Sequence, residues 1–174
     1  MLNPEQVTNE VIRPTLRHLA RATAQPMDTT DAAQLLLGTA LAESNLQYLR
    51  QLDGGPAMGL WQMEPVTHQD IWSSFLGHRP DLAGAVRELR TREGPRGEDD
   101  PTRQLIYSLP YACAMARVHY WRVPDALPPA DDLEAQAAYW KQHYNTPLGA
   151  GTVEHYIHTV RRALDDEGAL PPGR

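Results

Sequence analysis

From Ala32 to Ala42 the chain shows apolar or small side chains in almost every direction, with Leu35, Leu36, Leu37 and Leu41 standing among Ala32, Ala33, Ala40 and Ala42. A helix at the surface of a domain keeps a polar face, and one without such a face is covered on all sides. Thr29, Thr30 and Asp31 supply cap candidates for its start. This segment therefore demands a core built around one central helix, and the rest of the chain must provide the elements that cover it.

Those elements also read as helices. Asn3, Pro4 and Glu5 form a helix start, with a side-chain cap, proline in the first turn and an acid beside it. That helix is predicted to run to about Ala24 with a kink at Pro14. Pro65 opens a helix through Leu76, and Pro80 another through about Arg92. A further one spans Thr102 to about Trp121, bent or broken at Pro110. Asp131 and Asp132 cap a helix carrying Leu133, Tyr139 and Trp140, and Thr152 caps a last one ending near Leu164. Residues 45–63, 93–101, 123–129 and 144–151 are rich in Gly, Pro or polar residues and read as loops, the first with room for a short hairpin. Residues 168–174 read as a frayed tail. No strand-period run is long and no repeat is visible, so the expectation is one mainly α domain over residues 1–174, with about seven helices.

Composition narrows the function. Sixteen basic residues against 22 acidic ones give a net charge of −6, which disfavours nonspecific nucleic-acid binding. No apolar stretch approaches the roughly 20 residues needed to cross a bilayer. Residues 1–13 carry Glu5 and Glu10 and no apolar stretch, so no cleaved secretory signal is readable. The single cysteine, Cys113, cannot form an internal disulfide and sits among small residues as core packing. Glu64, His68 and Asp70 are close in sequence, but positions 64 and 68 share a helix face while 70 points elsewhere, so no metal site is expected. The remaining histidines lack ligand spacing; His143, beside Tyr144, is placed to line a cleft. No phosphate loop or nucleophilic triad is present, and no cofactor is expected.

Glu43 is the residue that carries chemistry. It closes the most apolar helix, directly before a long irregular segment. The negative end of a helix and burial both penalise a carboxylate, so both raise its pKa. A carboxylic acid held protonated near neutral pH is what a general acid requires. An exposed last-turn glutamate that tolerates its position is the plainer reading of the same features.

Three motifs then occur in order: Glu43-Ser44, the run Gly59-Leu60-Trp61-Gln62-Met63-Glu64-Pro65 with Thr67, and Tyr144-Asn145. In this order and rough spacing the chain resembles the lysozyme-like lytic transglycosylases and goose-type lysozymes, most closely the bacteriophage-encoded members. The resemblance is good over residues 35–67 and moderate around Tyr144; between them only the helical pattern agrees. It implies a lysozyme-like fold around the buried helix. It also implies cleavage of the β-1,4 bond between N-acetylmuramic acid and N-acetylglucosamine in peptidoglycan. Glu43 would act as general acid and then base, and Gln62 would orient substrate. Gly59 would let backbone approach the sugar, Ser44 would steady the turn or the Glu43 carboxyl, Tyr144 would hydrogen-bond near Glu43 or the sugar, and Asn145 would hold the loop or an acetamido group.

A transglycosylase needs no second carboxylate, because the muramoyl 6-hydroxyl is the nucleophile; an inverting hydrolase needs one to hold water. Asp53 and Glu64 are the candidates. Each also has a plain reading, Asp53 as a turn residue and Glu64 as a charge at a helix start. Transglycosylase is the preferred alternative. Trp61 reads equally as core or as a sugar-stacking platform. A different class stays open as well: a non-catalytic, structural or glycan-binding part of a phage particle. Partners implied by the resemblance are glycan strands and phage tail or other virion proteins. The implied setting is host cytoplasm followed by cell wall, or the virion itself, with wall opening at infection or lysis from within.

Overall fold

The computed structural model describes residues 1–91, 100–145 and 150–168. Within them the chain is a mainly α-helical bundle without a β-sheet. Helix α1 (Pro4–Val7) leads through a π turn (Thr8–Ile12) into α2 (Arg13–Thr23). The Asn3 side chain caps the start by accepting from Gln6 N–H. The disturbance expected at Pro14 falls one turn earlier. Proline lacks an N–H and crowds the carbonyl four residues back, and the widened turn accommodates it, with Arg13 N–H bonding to Thr8 O five residues behind.

Helix α3 (Thr30–Ser44) is the central rod, capped by Thr29 Oγ1 accepting from Ala32 N–H at 3.1 Å. Leu35, Leu36 and Leu41 are at most 1% exposed. Full burial of each such leucine is worth about 1.5–3 kcal/mol, so this helix anchors the domain. It is enclosed by the π turn that precedes α2 (Thr8–Ile12), by α7 (Leu109–Trp121), by α8 (Leu133–Trp140) and by α9 (Val153–Gly168). Gly38 shows how close the approach is: a Cβ there would lie 1.9 Å from the Tyr156 hydroxyl of α9. Thr39 Oγ1 donates to Leu35 O at 2.7 Å and accepts from Tyr120 Oη at 2.8 Å, so α3 is fastened to α7 by a satisfied polar pair.

Helix α4 (Pro65–Asp70) continues through a π turn (Ile71–Phe75) and a 3₁₀ turn (Leu76–His78), and α5 (Pro80–Glu88) follows, ending a turn before the expected Arg92. The helix expected from Thr102 to Trp121 is cut at Ser108, not at Pro110. Ser108 ends α6 (Gln104–Tyr107) and caps α7 by accepting from Tyr111 N–H. Pro110 lies in the first turn of α7, where its missing N–H costs nothing. That break raises the expected seven or so helical rods to about eight among the described residues. Helix α8 is capped by Asp132, one of the two acids expected there. The expected hairpin in residues 45–63 reduces to two isolated bridges, Arg50–Met58 and Met58–Met63, and a 3₁₀ turn (Leu52–Gly54). Helix α9 runs to Gly168, past the expected end at Leu164. Most of the 93–101 loop and of the tail, and half of the 144–151 loop, lies outside the described residues.

Candidate active site

Helix α3 ends because Asn45 and Leu46 both take left-handed backbone, at φ 50° and 51°. This reversal throws the chain out of the core directly after Glu43 and Ser44 and leaves Glu43 half-buried in the wall of a cleft of about 800 Å³. Opposite ends of the sequence close around its carboxyl. Trp140, the last residue of α8, donates Nε1–H to Glu43 Oε1 at 2.9 Å. The π turn that continues α8 (Lys141–Asn145) brings Asn145 to the same carboxyl. Lys141 Nζ donates to Asn145 Oδ1 at 2.9 Å, which turns the amide nitrogen of Asn145 toward Glu43 as a donor.

Burial pushes the Glu43 carboxyl up from 4.5 to about 7, and the Trp140 and Asn145 hydrogen bonds pull against that rise. The group is therefore poised to hold a proton near neutrality and to release it. His119 also lines the cleft, but both of its ring nitrogens are engaged. Nε2 donates to His143 O at 2.9 Å and Nδ1 accepts from Arg122 at 3.2 Å. Burial and the Arg122 charge push its pKa down to about 4, so it is a neutral wall at pH 7.

The other expected site residues divide into those at the cleft and those behind it. Gln62 lines it from a left-handed position, φ 43°, in the tight turn after Gly59. Its Nε2 donates to Gly59 O at 2.7 Å, leaving Oε1 to accept from a ligand. Tyr144 also lines the cleft, yet its hydroxyl donates to Trp61 O at 2.7 Å instead of reaching Glu43. It clamps the Lys141–Asn145 turn to the Gln62 turn.

Ser44 lies behind the cleft and not at its surface, and it steadies the turn, the first of the two roles the resemblance implied for it. It is 3% exposed, and its hydroxyl lies between Ala40 O at 3.0 Å and Leu60 O at 2.7 Å, tying the helix end to the following turn. Gly59 likewise serves packing in place of sugar contact: at φ +74° a Cβ would fall 2.2 Å from Leu105 O. Trp61 is core, 1% exposed with Nε1 donating to Leu36 O at 2.9 Å, which removes the stacking alternative.

The two candidate second carboxylates part company. Glu64 lines the cleft with Glu43. It occupies the residue before α4, but its side chain does not cap the helix. Asp53 sits exposed in the 3₁₀ turn at φ 61° and is not among the residues that line the cleft.

His143 holds the site through its carbonyl while its ring faces Asp125 at 3.3 Å. His68 bonds to Tyr111 Oη at 2.7 Å, and among the described residues no group of three His, Cys, Asp or Glu side chains is placed to hold a metal. Cys113 is fully buried. No helix among the described residues is long and apolar enough to cross a membrane.

Sequence reasoning missed His155 and the direct role of Trp140. His155, in the first turn of α9, donates from Nε2 to Ala42 O at 3.0 Å and borders the cleft. In the sequence Trp140 reads only as a member of the helix that starts at Asp131 and Asp132; its bond to Glu43 spans 97 positions, a separation no local pattern reveals. Compared with protein-family models, curated proteins and solved structures, the chain has no significant match.

Proposed function

We propose that the protein is a peptidoglycan-cleaving muramidase of the lytic transglycosylase type. The observation that carries this reading is Glu43, a half-buried carboxyl poised at about 7 and gripped by two donors at the wall of a large polar cleft. The order of the three sequence motifs is its second support.

In the proposed reaction the protonated Glu43 gives its proton to the glycosidic oxygen. The bond from that oxygen to C1 of the muramic sugar breaks, with its electron pair leaving on the N-acetylglucosamine oxygen. Ionised Glu43 then takes the proton of the muramoyl 6-hydroxyl as O6 bonds to C1, closing a 1,6-anhydro ring. Trp140 and Asn145 stabilise the carboxylate between the two transfers, since both donate to it. One group serves as acid and base in turn, so no second carboxylate is consumed by the chemistry.

A hydrolytic variant has one observation in its favour, the uncapped Glu64 in the same cleft. Phage origin, and wall opening at infection or lysis, belong to the same proposal. A net charge of −6 gives no long-range attraction to an anionic wall, so delivery by a virion or after membrane opening fits this chain better than free diffusion.

The test is mass spectrometry of soluble products from isolated Gram-negative peptidoglycan, with wild type and Glu43→Gln. Products ending in 1,6-anhydromuramic acid, lost in the variant, support the proposal. Reducing muramic ends establish a hydrolase. No products from any wall preparation leave the non-catalytic virion or glycan-binding role.

A further inference from the structure

We infer that Arg122 is a positioning residue for the Glu43 carboxyl: it fixes the ring tautomer of His119, and that tautomer fastens the turn that carries Asn145. The inference rests on the reading of Glu43 as the acid.

Arg122 follows the last residue of α7, three positions after His119. Its Nη1 donates to Asp70 Oδ2 at the end of α4, and Ser74 Oγ donates to the other Asp70 oxygen at 3.0 Å. Its Nη2 lies 3.2 Å from His119 Nδ1. A guanidinium has donors only, so Nδ1 accepts and the proton of the neutral ring sits on Nε2. Nε2 is the nitrogen that meets His143 O at 2.9 Å, a contact that needs this proton. The opposite tautomer would set donor against donor at Arg122 and acceptor against acceptor at His143, leaving both contacts unmade.

His143 lies in the Lys141–Asn145 turn, two residues before Asn145. The His119 ring also meets Tyr144 edge-on, with centroids 5.0 Å apart. The turn is thus held at two successive residues by a ring whose proton Arg122 places. Asp70 ends the helix that begins beside Glu64, so the chain of bonds joins the segment after the Gln62 turn to the turn that bonds Glu43. Breaking it loosens Asn145, and a carboxylate that loses a donor holds its proton more tightly.

Two substitutions separate this role from a plain effect of charge. Arg122→Met keeps an aliphatic stem and removes a cation, whereas Asp70→Asn removes an anion and releases Arg122 from its anchor. Acting through space alone, the first raises the Glu43 titration midpoint and the second lowers it. Acting through His119, both raise it. Tyr120 and Tyr144, which burial holds protonated, and Glu64, His119 and His155 at the cleft surround Glu43 in every variant. The Arg122 and Asp70 side chains are 24% and 52% exposed, and a pair so open to water adds little to stability.

The experiment follows the Glu43 carboxyl carbon and the His119 ring nitrogens by NMR from pH 4 to 9 in wild type and both variants, with circular dichroism to confirm folding. Wild-type His119 is expected as the Nε2–H tautomer, and each variant as a mixture of the two. The Glu43 midpoint is expected to rise by about 0.5–1 pH unit in both variants, a roughly three- to tenfold gain in proton affinity. The alkaline limb of the rate on isolated peptidoglycan should move up by the same amount. An Nδ1–H tautomer in the wild type, a midpoint that neither variant moves, or midpoints that move in opposite directions overturns the inference. Should Arg122→Met not fold, Asp70→Asn alone decides by the sign of its shift. Midpoints that rise in both variants of a protein that cleaves no wall material uphold the positioning and sink only the reading of Glu43 as the acid.

Discussion

Replacing Glu43 by Gln is expected to stabilise the protein, and only above mildly acidic pH. Folding carries the carboxyl from 4.5 to about 7. At about 1.4 kcal/mol per tenfold change, the ionised group costs the folded state about 3 kcal/mol by pH 8. Between these two values the folded protein binds more protons than the unfolded chain, so wild-type stability declines as pH rises through this window and is level above it. Glutamine cannot ionise and escapes that decline. Its oxygen keeps the Trp140 bond, but its NH₂ meets the Asn145 amide nitrogen donor against donor, because Lys141 holds Asn145 Oδ1. The mismatch costs about 1 kcal/mol at every pH. The variant should therefore match wild type or fall slightly below it at pH 4, and exceed it by about 2 kcal/mol at pH 8. For a chain of this size that is a gain of roughly 4–8 °C in Tm. Thermal unfolding followed by far-UV circular dichroism from pH 4 to 8 measures both curves. Parallel pH dependences for the two proteins would refute the reasoning, since the raised carboxyl would then not be Glu43.

Wild-type wall-cleaving activity should fall as pH rises past about 7, where the Glu43 proton is lost; a rate flat well into alkali counts against its role as acid. Trp140→Phe removes a donor that favours the carboxylate. The alkaline limb of the pH profile should move to higher pH while the rate drops about tenfold or more through lost orientation, and an unmoved limb would show that the indole N–H does not tune the acid. Tyr156→Phe should leave stability unchanged or raise it by about 1–2 kcal/mol, because the buried Tyr156 hydroxyl has no hydrogen-bond partner among the described residues; chemical denaturation that shows a loss of stability would contradict that reading. Asp53→Asn, in the exposed turn away from the cleft, should keep wild-type product yield, and a hundredfold loss would return Asp53 to the site.

Much of the architecture was legible because it is local. The apolar run of α3, the Asn3, Thr29 and Asp132 caps and the prolines in first turns all act within one helical turn of where they stand. Errors fell where the local rule was correct but a different residue satisfied it. Ser108 ended a helix that Pro110 was expected to break, and a π turn absorbed Pro14 without a break. Glu43 stood out for the same local reason, an acid at the end of an apolar helix.

What the motifs could not tell is which of their members face the cleft. Gln62, Tyr144 and Asn145 do, whereas Ser44, Gly59 and Trp61 spend themselves on Leu60 O, Leu105 O and Leu36 O. These partners come from other turns and helices, so adjacency in sequence says nothing of them. The linear chain by itself determined a helical domain with one buried rod and an acid at its end, because helix periodicity and capping are encoded within a few residues. Only the tertiary structure decided that Trp140 and Asn145 grip that acid, that Glu64 shares its cleft and that Asp53 does not. Burial and donors from distant segments set a carboxyl's proton affinity, and both exist only once the chain has packed.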